Sequence, residues 1–266
     1  MPRWKPSVRR KEVKEMTNKP MLGCIQIRNE TETAADLYIH GDIVDDYWKN
    51  WLSDWDGNTN PGYVLPVDVR DQLKGLDGKT LTVYINSDGG SVPAGIAIAN
   101  MIARHSGKTI GVIDGWAASA ASVIFLSCDE LHMPVNTFLM IHKPEMTIQG
   151  NADDLLRGID VLDTIQAGIE KTYQAKARED ITPDRIHAAV DAETWYTAEE
   201  AAAVFDIIVE DTPVQLTACS TRITDHMPEA VRNAKRAAGA AADADTRQEA
   251  DRRRRKIACE MELFSI

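Results

Sequence analysis

The sequence predicts an α/β fold built on a largely parallel sheet. Two observations carry this prediction. Short β-branched and apolar runs, such as Thr80–Asn86 and Lys108–Asp114, alternate with helix-length stretches, the pattern of parallel strands joined by crossovers. A long segment, Asp153–Glu179, then repeats apolar residues at spacings of three and four, which gives a helix one apolar face. With 44% apolar residues among 266, the chain has ample material for a core.

The elements follow in order. Residues 1–20 are polar and basic, carry Pro2, Pro6 and Pro20, and read as a flexible arm. Met21–Arg28 and Ala35–His40 read as strands, with Gly41-Asp42-Ile43 leaving the second. Residues 45–64 hold Trp48, Trp51, Trp55, Asp56-Gly57 and Pro61-Gly62, a short helix and a loop. Val67–Leu76 reads as a helix ending at Gly75 or Gly78. Strand Thr80–Asn86 leads to helix Val92–His105, apolar at Ile96, Ile98, Met101 and Ile102. Strand Lys108–Asp114 precedes helix Ala117–Leu126, and Glu130–Met133 and Thr137–His142 are short strands. Right-handed crossovers put most of the helices on the faces of the sheet. The stripe of Asp153–Glu179 comprises Leu155, Leu156, Ile159, Leu162, Ile165, Ile169 and Tyr173. Asp180–Val190 holds a helix with Thr182 as N-cap and Pro183 at its first position. Thr197–Phe205 opens on the capping box Thr197-x-x-Glu200. Beyond Asp211 the composition shifts, and 228–256, rich in Ala, Arg and Asp, reads as an exposed helix or a disordered tail.

A net charge of −11 argues against a general nucleic-acid binder. The basic clusters, residues 1–20 and Arg252–Lys256, read as solvated tails. Cys24, Cys128, Cys219 and Cys259 form no C-x-x-C pair, so they read as reduced thiols in a cytoplasmic protein, with no metal site. No secretory leader and no membrane-length apolar run are visible.

The chemistry concentrates in three stretches. Gly115-Trp-Ala-Ala-Ser119-Ala-Ala is a small-residue turn that can expose a serine hydroxyl. Met140-Ile141-His142-Lys143-Pro144 puts a histidine at the end of an apolar run. A serine hydroxyl needs such a base to take its proton. Upstream, Ile85-Asn86-Ser87-Asp88-Gly89-Gly90-Ser91 is a strand entering a glycine turn, where backbone N–H groups can meet a developing oxyanion. A serine at a close-packed helix start, a histidine ending a strand and a tight glycine turn are each ordinary structural features when alone. The elbow G-x-S-x-G is absent, because Ala117 and Ala121 occupy its glycine positions, which disfavours the α/β-hydrolase fold.

In this order and at this spacing, I-N-S-x-G-G-S-V, G-x-A-A-S and M-I-H-x-P resemble the proteolytic subunit of the Clp protease (ClpP), over about Met21 to Asp211. The resemblance implies a ClpP/crotonase-like spiral of β-β-α units with a projecting handle helix. It makes residues 21–211 a serine-protease domain, with a 1–20 arm and a 212–266 extension outside it. It assigns Ser119 as nucleophile, His142 as base, and the backbone N–H groups of Gly90 and Ala120 as oxyanion donors. Gly89, Ser91, Gln149 and Gly150 would bind substrate, with Thr147–Asp153 pairing to an extended peptide as an added strand. Register against Trp195-Tyr-Thr-Ala-Glu-Glu-Ala201 matches the family aspartate to Glu193. Asp191 is the alternative, since residues two apart on a strand or loop face one side.

The chain departs from the family at Asp88 (a proline), Trp116 (a glutamine), Glu193 (an aspartate) and Ala192 (an arginine of ring-to-ring pairing). With the extra termini, these departures resemble ClpP-like proteases encoded among phage and prophage head genes, whose expected role is cleavage of scaffold and capsid proteins. The expected assembly is a homo-oligomeric ring without cofactor, membrane or nucleic acid. Competing readings are an ATP-dependent housekeeping subunit with an ATPase partner, an inactive ring-forming or scaffold subunit, a crotonase-like acyl-CoA enzyme, and a Ser–Lys peptidase. The Ser119–His142 pair disfavours the crotonase reading, and the lack of an anchor disfavours the Ser–Lys one.

Overall fold

In the computed structural model, residues 25–47 and 62–214 are described. The 1–20 arm, the three tryptophans Trp48, Trp51 and Trp55, and nearly all of the 212–266 extension lie outside them. Within the described residues the strands are β1 (Ile25–Arg28), β2 (Ala34–His40), β3 (Asp42–Ile43), β4 (Tyr63–Val64), β5 (Thr80–Ser87), β6 (Thr109–Ala118), β7 (Glu130–Pro134), β8 (Phe138–Ile141), β9 (Thr194–Thr197) and β10 (Ile208–Glu210). The helices are α1 (Pro66–Leu73), α2 (Val92–Ala103), α3 (Ala120–Phe125), α4 (Ala152–Lys176), α5 (Pro183–Asp191) and α6 (Ala198–Ala202).

The main sheet runs β1-β2-β5-β6-β7-β10. All of its pairings on this path are parallel except β1 with β2. Strand β6 outlasts its neighbour β7. Its first half pairs with β7, and its last residues, Trp116–Ala118, pair with β8. Strand β8 then takes β9 as an antiparallel partner. This fork opens the sheet beside Ala118, and the chain leaves β6 there. A second, two-stranded sheet joins β3 to β4. The mixed α/β architecture agrees with the predicted class.

Burial follows the alternation of the strands. Leu37, Ile39, Leu81, Val83 and Ile85 are fully buried and pack against Ile98 and Ile102 of α2 and Ile124 and Phe125 of α3. A smaller cluster of Trp116, Ala118 and Met140, with Phe138 and Trp195 against it, lies apart from this core.

Several sequence expectations shift. Ala117 and Ala118 extend β6 rather than opening a helix, because Ala117 pairs with Ser87 on one side and Leu139 on the other. Strand pairing on both edges overrides the weak helix preference of two alanines. The short strands β4, β9 and β10 escaped the reading because they are too brief to show a period. The helix caps are as read. Thr182 caps α5 and Thr197 forms its box with Glu200.

Helix α4 is divided. Ile169 and Tyr173 in its C-terminal half are buried against the domain, whereas Leu155, Leu156 and Ile159 in its N-terminal half are exposed. The apolar stripe is therefore continuous in sequence but only half covered by the chain's own core.

Candidate active site

Ser119 occupies the joint between β6 and α3, with φ 55° and ψ −125°. That is left-handed backbone, which residues with a β-carbon adopt only when their surroundings hold them. The holding bonds are visible. Ser119 N–H donates to Met140 O at 3.1 Å, and its own carbonyl accepts from Ser122 N–H at 2.9 Å. The Ser122 hydroxyl donates to the same carbonyl at 2.6 Å. The alanines around Ser119 are buried, so little space is open to larger side chains here. A β-carbon on Gly95 would stand 2.9 Å from that of Ala120.

His142 follows directly on β8. The pairing of Ala118 with Met140 carries it to the mouth of the fork. Its Nε2 lies 2.7 Å from Ser119 Oγ, although 23 residues separate them in sequence. When the hydroxyl donates, Nε2 is the bare nitrogen and Nδ1 carries the proton. Burial lowers the His142 pKa below the ordinary imidazole value, while the negative charges of Glu193 and Glu145 oppose that shift. A neutral imidazole at neutral pH is the form that accepts a proton.

The two candidate acids are separated by a turn. Asp191 is the last residue of α5, and Glu193 follows Ala192 with φ 50°. Asp191 ends a helix and Glu193 is left-handed, so the strand alternation that would set the two on one side does not operate here. Asp191 is exposed and ion-paired with Lys143 at 2.8 Å, and it accepts from Gln166 Nε2 at 3.2 Å. Lys143 holds its carboxyl below the usual range. Glu193 directly precedes Thr194, whose pairing with Ile141 puts it at the same end of β8 and β9 as His142. Its charge acts on the ring. Among the described residues, no carboxylate hydrogen-bonds His142 Nδ1.

The glycine turn lies over Ser119. Gly89 and Gly90 have φ of 94° and 139°. A β-carbon on Gly89 would stand 2.6 Å from Ala118 O and 2.7 Å from Ser119 Cβ, and one on Gly90 would stand 2.1 Å from Ile43 O. The turn is thus clamped between β3 and the serine, and only glycine fits either position. Ile43 anchors it by donating its N–H to Gly89 O and accepting from Ser91 N–H, both at 2.8 Å. Neither bond uses the Gly90 N–H. Ala120 N–H, at the start of α3, has no carbonyl one turn back within the helix. These are the two amides the sequence nominated.

The remaining nominated residues divide. Gly89 is in the turn. The Ser91 hydroxyl is engaged structurally, donating to Asp45 at 2.7 Å and capping α2 through Ala94 N–H. Gln149 and Gly150 lie in an exposed stretch after His142 that forms no strand, and Gly150 packs on Asp154. Val92, Val123, Ile169 and Tyr173 line an apolar cleft beside Ser119 and His142.

Two further contacts were not legible in the sequence. Trp116 Nε1 donates to Asp88 at 2.5 Å, and both residues are buried. Positions 88 and 116 each depart from the resembled family, but nothing in the sequence joins them. Ser122 and Tyr173 share a buried 2.8 Å hydrogen bond, and the sequence marks Tyr173 only as part of an apolar stripe.

The Clp protease family model matches residues 69–210. Among curated proteins, the chain is 29% identical over 152 residues to the ATP-dependent Clp protease proteolytic subunit of Bacteroides thetaiotaomicron, covering 56% of this chain and 66% of that protein. The proteins of the same name from Chlorella vulgaris and Bacteroides fragilis are 29% and 31% identical over 153 residues each, covering 72% and 70% of their lengths. The chain thus spans about two thirds of the length of these relatives. With the family model covering more than half of its residues, the chain belongs to the Clp protease family.

Proposed function

We propose that the protein is a serine-type endopeptidase in which Ser119 is the nucleophile and His142 the base. The 2.7 Å contact between Ser119 Oγ and His142 Nε2 carries this reading. Ser119 Oγ attacks the scissile carbonyl while Nε2 takes its proton. The tetrahedral oxygen is received by the N–H groups of Gly90 and Ala120. The C–N bond breaks as His142 returns the proton to the leaving amine. Water, deprotonated by His142, then releases the acyl group from Ser119. Glu193 stabilises the imidazolium through its charge. An extended peptide lies along the stretch after His142, with one side chain in the apolar cleft.

The protein forms a homo-oligomeric ring through the exposed half of α4. Leu156 and Ile159 are 61% and 54% exposed, and apolar surface of this kind marks an interface. The finer role is maturation of phage or prophage heads by cleavage of scaffold or capsid proteins. The long termini, and Ala192 in place of an arginine of the resembled family, support it. The second reading is a subunit working with an ATPase, favoured by the printed names of the relatives, which are ATP-dependent proteolytic subunits.

The test is labelling and turnover. Wild-type protein modified by a fluorophosphonate at Ser119, with cleavage lost by about 10⁴-fold or more in Ser119→Ala and His142→Ala, upholds the assignment. Full cleavage by either variant overturns it. Cleavage of folded head proteins without ATP favours the maturation role, and strict dependence on an added ATPase favours the second reading.

A further inference from the structure

We propose that Tyr173 is a positioning residue for Ser119, acting through the hydroxyl of Ser122 from a helix 51 residues further along the chain. The proposal rests on the serine-peptidase reading above. The direction of the hydrogen bonds is fixed by counting protons. Ser122 Oγ–H donates to Ser119 O at 2.6 Å. A serine hydroxyl has one proton, so in its 2.8 Å contact with Tyr173 the phenol must be the donor. The chain therefore runs from Tyr173 O–H to Ser122 O–H to the Ser119 carbonyl. Consecutive bonds of this kind polarise one another.

Both hydroxyls are shut away from solvent. Ser122 is 0% exposed and Tyr173 1%. Neither has water as a substitute partner, so a broken link leaves a buried polar group. Burial also pushes the Tyr173 pKa up, which keeps its proton available for donation.

The end of this chain is the carbonyl of the residue with the strained backbone, φ 55°. Rotation of that peptide would turn the Ala120 N–H, which shares its plane with the Ser119 carbonyl, out of the oxyanion position and release the backbone on which Ser119 is held. Tyr173 hence restrains both the nucleophile and one of its two stabilising amides without touching a reacting atom. Tyr173 borders the cleft beside Ser119.

The experiment compares Tyr173→Phe, Ser122→Ala and the double variant of the full chain. It measures the rate of Ser119 modification by a fluorophosphonate, kcat and KM on a peptide, and the thermal midpoint. Each single variant should slow modification by about 3- to 10-fold, the worth of one hydrogen bond, with kcat lowered in step and KM unchanged. The double variant should be no slower than the slower single one, because both act through one carbonyl. It also removes the orphaned phenol that Ser122→Ala leaves. If the double variant recovers the wild-type rate, that buried orphan was the cause and the proposal is overturned. Wild-type reactivity in Tyr173→Phe, or a change confined to KM, also overturns it. If wild-type Ser119 itself does not react, the serine-peptidase reading falls and this proposal with it. A reactive wild type with equally reactive variants sinks the positioning role alone.

Discussion

His142 directly follows β8 and Glu193 directly precedes β9, so the antiparallel pairing of Ile141 with Thr194 brings both to one end of the strand pair. Residues close to them in sequence make a different contact. Lys143 reaches Asp191 at 2.8 Å. One backbone register thus sorts two carboxylates that are two residues apart, one toward the imidazole and one toward a surface lysine.

This sorting predicts unequal mutants. Glu193→Gln should lower turnover by about 10²-fold or more, within the range for a group assisting proton transfer. Asp191→Asn should cost less than about tenfold, since it removes a surface ion pair of small worth. Peptide cleavage by the two variants, assayed together, checks this. A larger defect in Asp191→Asn would reverse the assignment.

A pH profile tests the base. His142 must be neutral to accept the Ser119 proton, so activity rises with pH through its pKa. Burial places that pKa below the ordinary value, which is about 6.5. The acid limb of kcat/KM should accordingly fall below that pH. Glu193→Gln removes one of the charges that raises the pKa, so the limb should move further toward acid. An acid limb above neutrality in the wild type, or a shift upward in the variant, contradicts the assignment.

The glycine turn gives a steric prediction. Gly89→Ala drives a β-carbon to 2.6 Å from Ala118 O, at a φ of 94° that L residues rarely adopt. The turn must move away from Ser119, and with it the Gly90 amide. Loss of one such donor costs about 10²–10³-fold in kcat. Gly168→Ala is the control, because nothing lies within 4 Å of its added carbon. In the interior of α4 it should raise stability by about 1 kcal/mol. Circular dichroism melts and peptide assays of both variants distinguish site geometry from general tolerance.

The exposed half of α4 predicts assembly. Leu156→Asp and Ile159→Asp place charges on apolar surface that the chain's own core leaves uncovered. Light scattering should show a ring in the wild type and smaller species in the variants, with the fold intact. A wild-type monomer at micromolar concentration would refute the interface.

Much of this protein was legible in one dimension. The α/β class, the caps at Thr182 and Thr197, and the sequence of glycine turn, serine and histidine follow from local rules. Turn chemistry, capping and hydrophobic period act over a few residues, and the chain states them directly. Tertiary structure decided the rest. Ala117 and Ala118 are strand rather than helix because two other strands bond to them. Glu193 rather than Asp191 acts on the His142 ring, and Asp191, at the end of α5, is held by Lys143 instead. Asp88 meets Trp116, and Ser122 meets Tyr173, across 28 and 51 residues. Such contacts depend on the register of the sheet and the tilt of α4 against the core. Those are properties of the whole packing, and no short stretch of sequence encodes them.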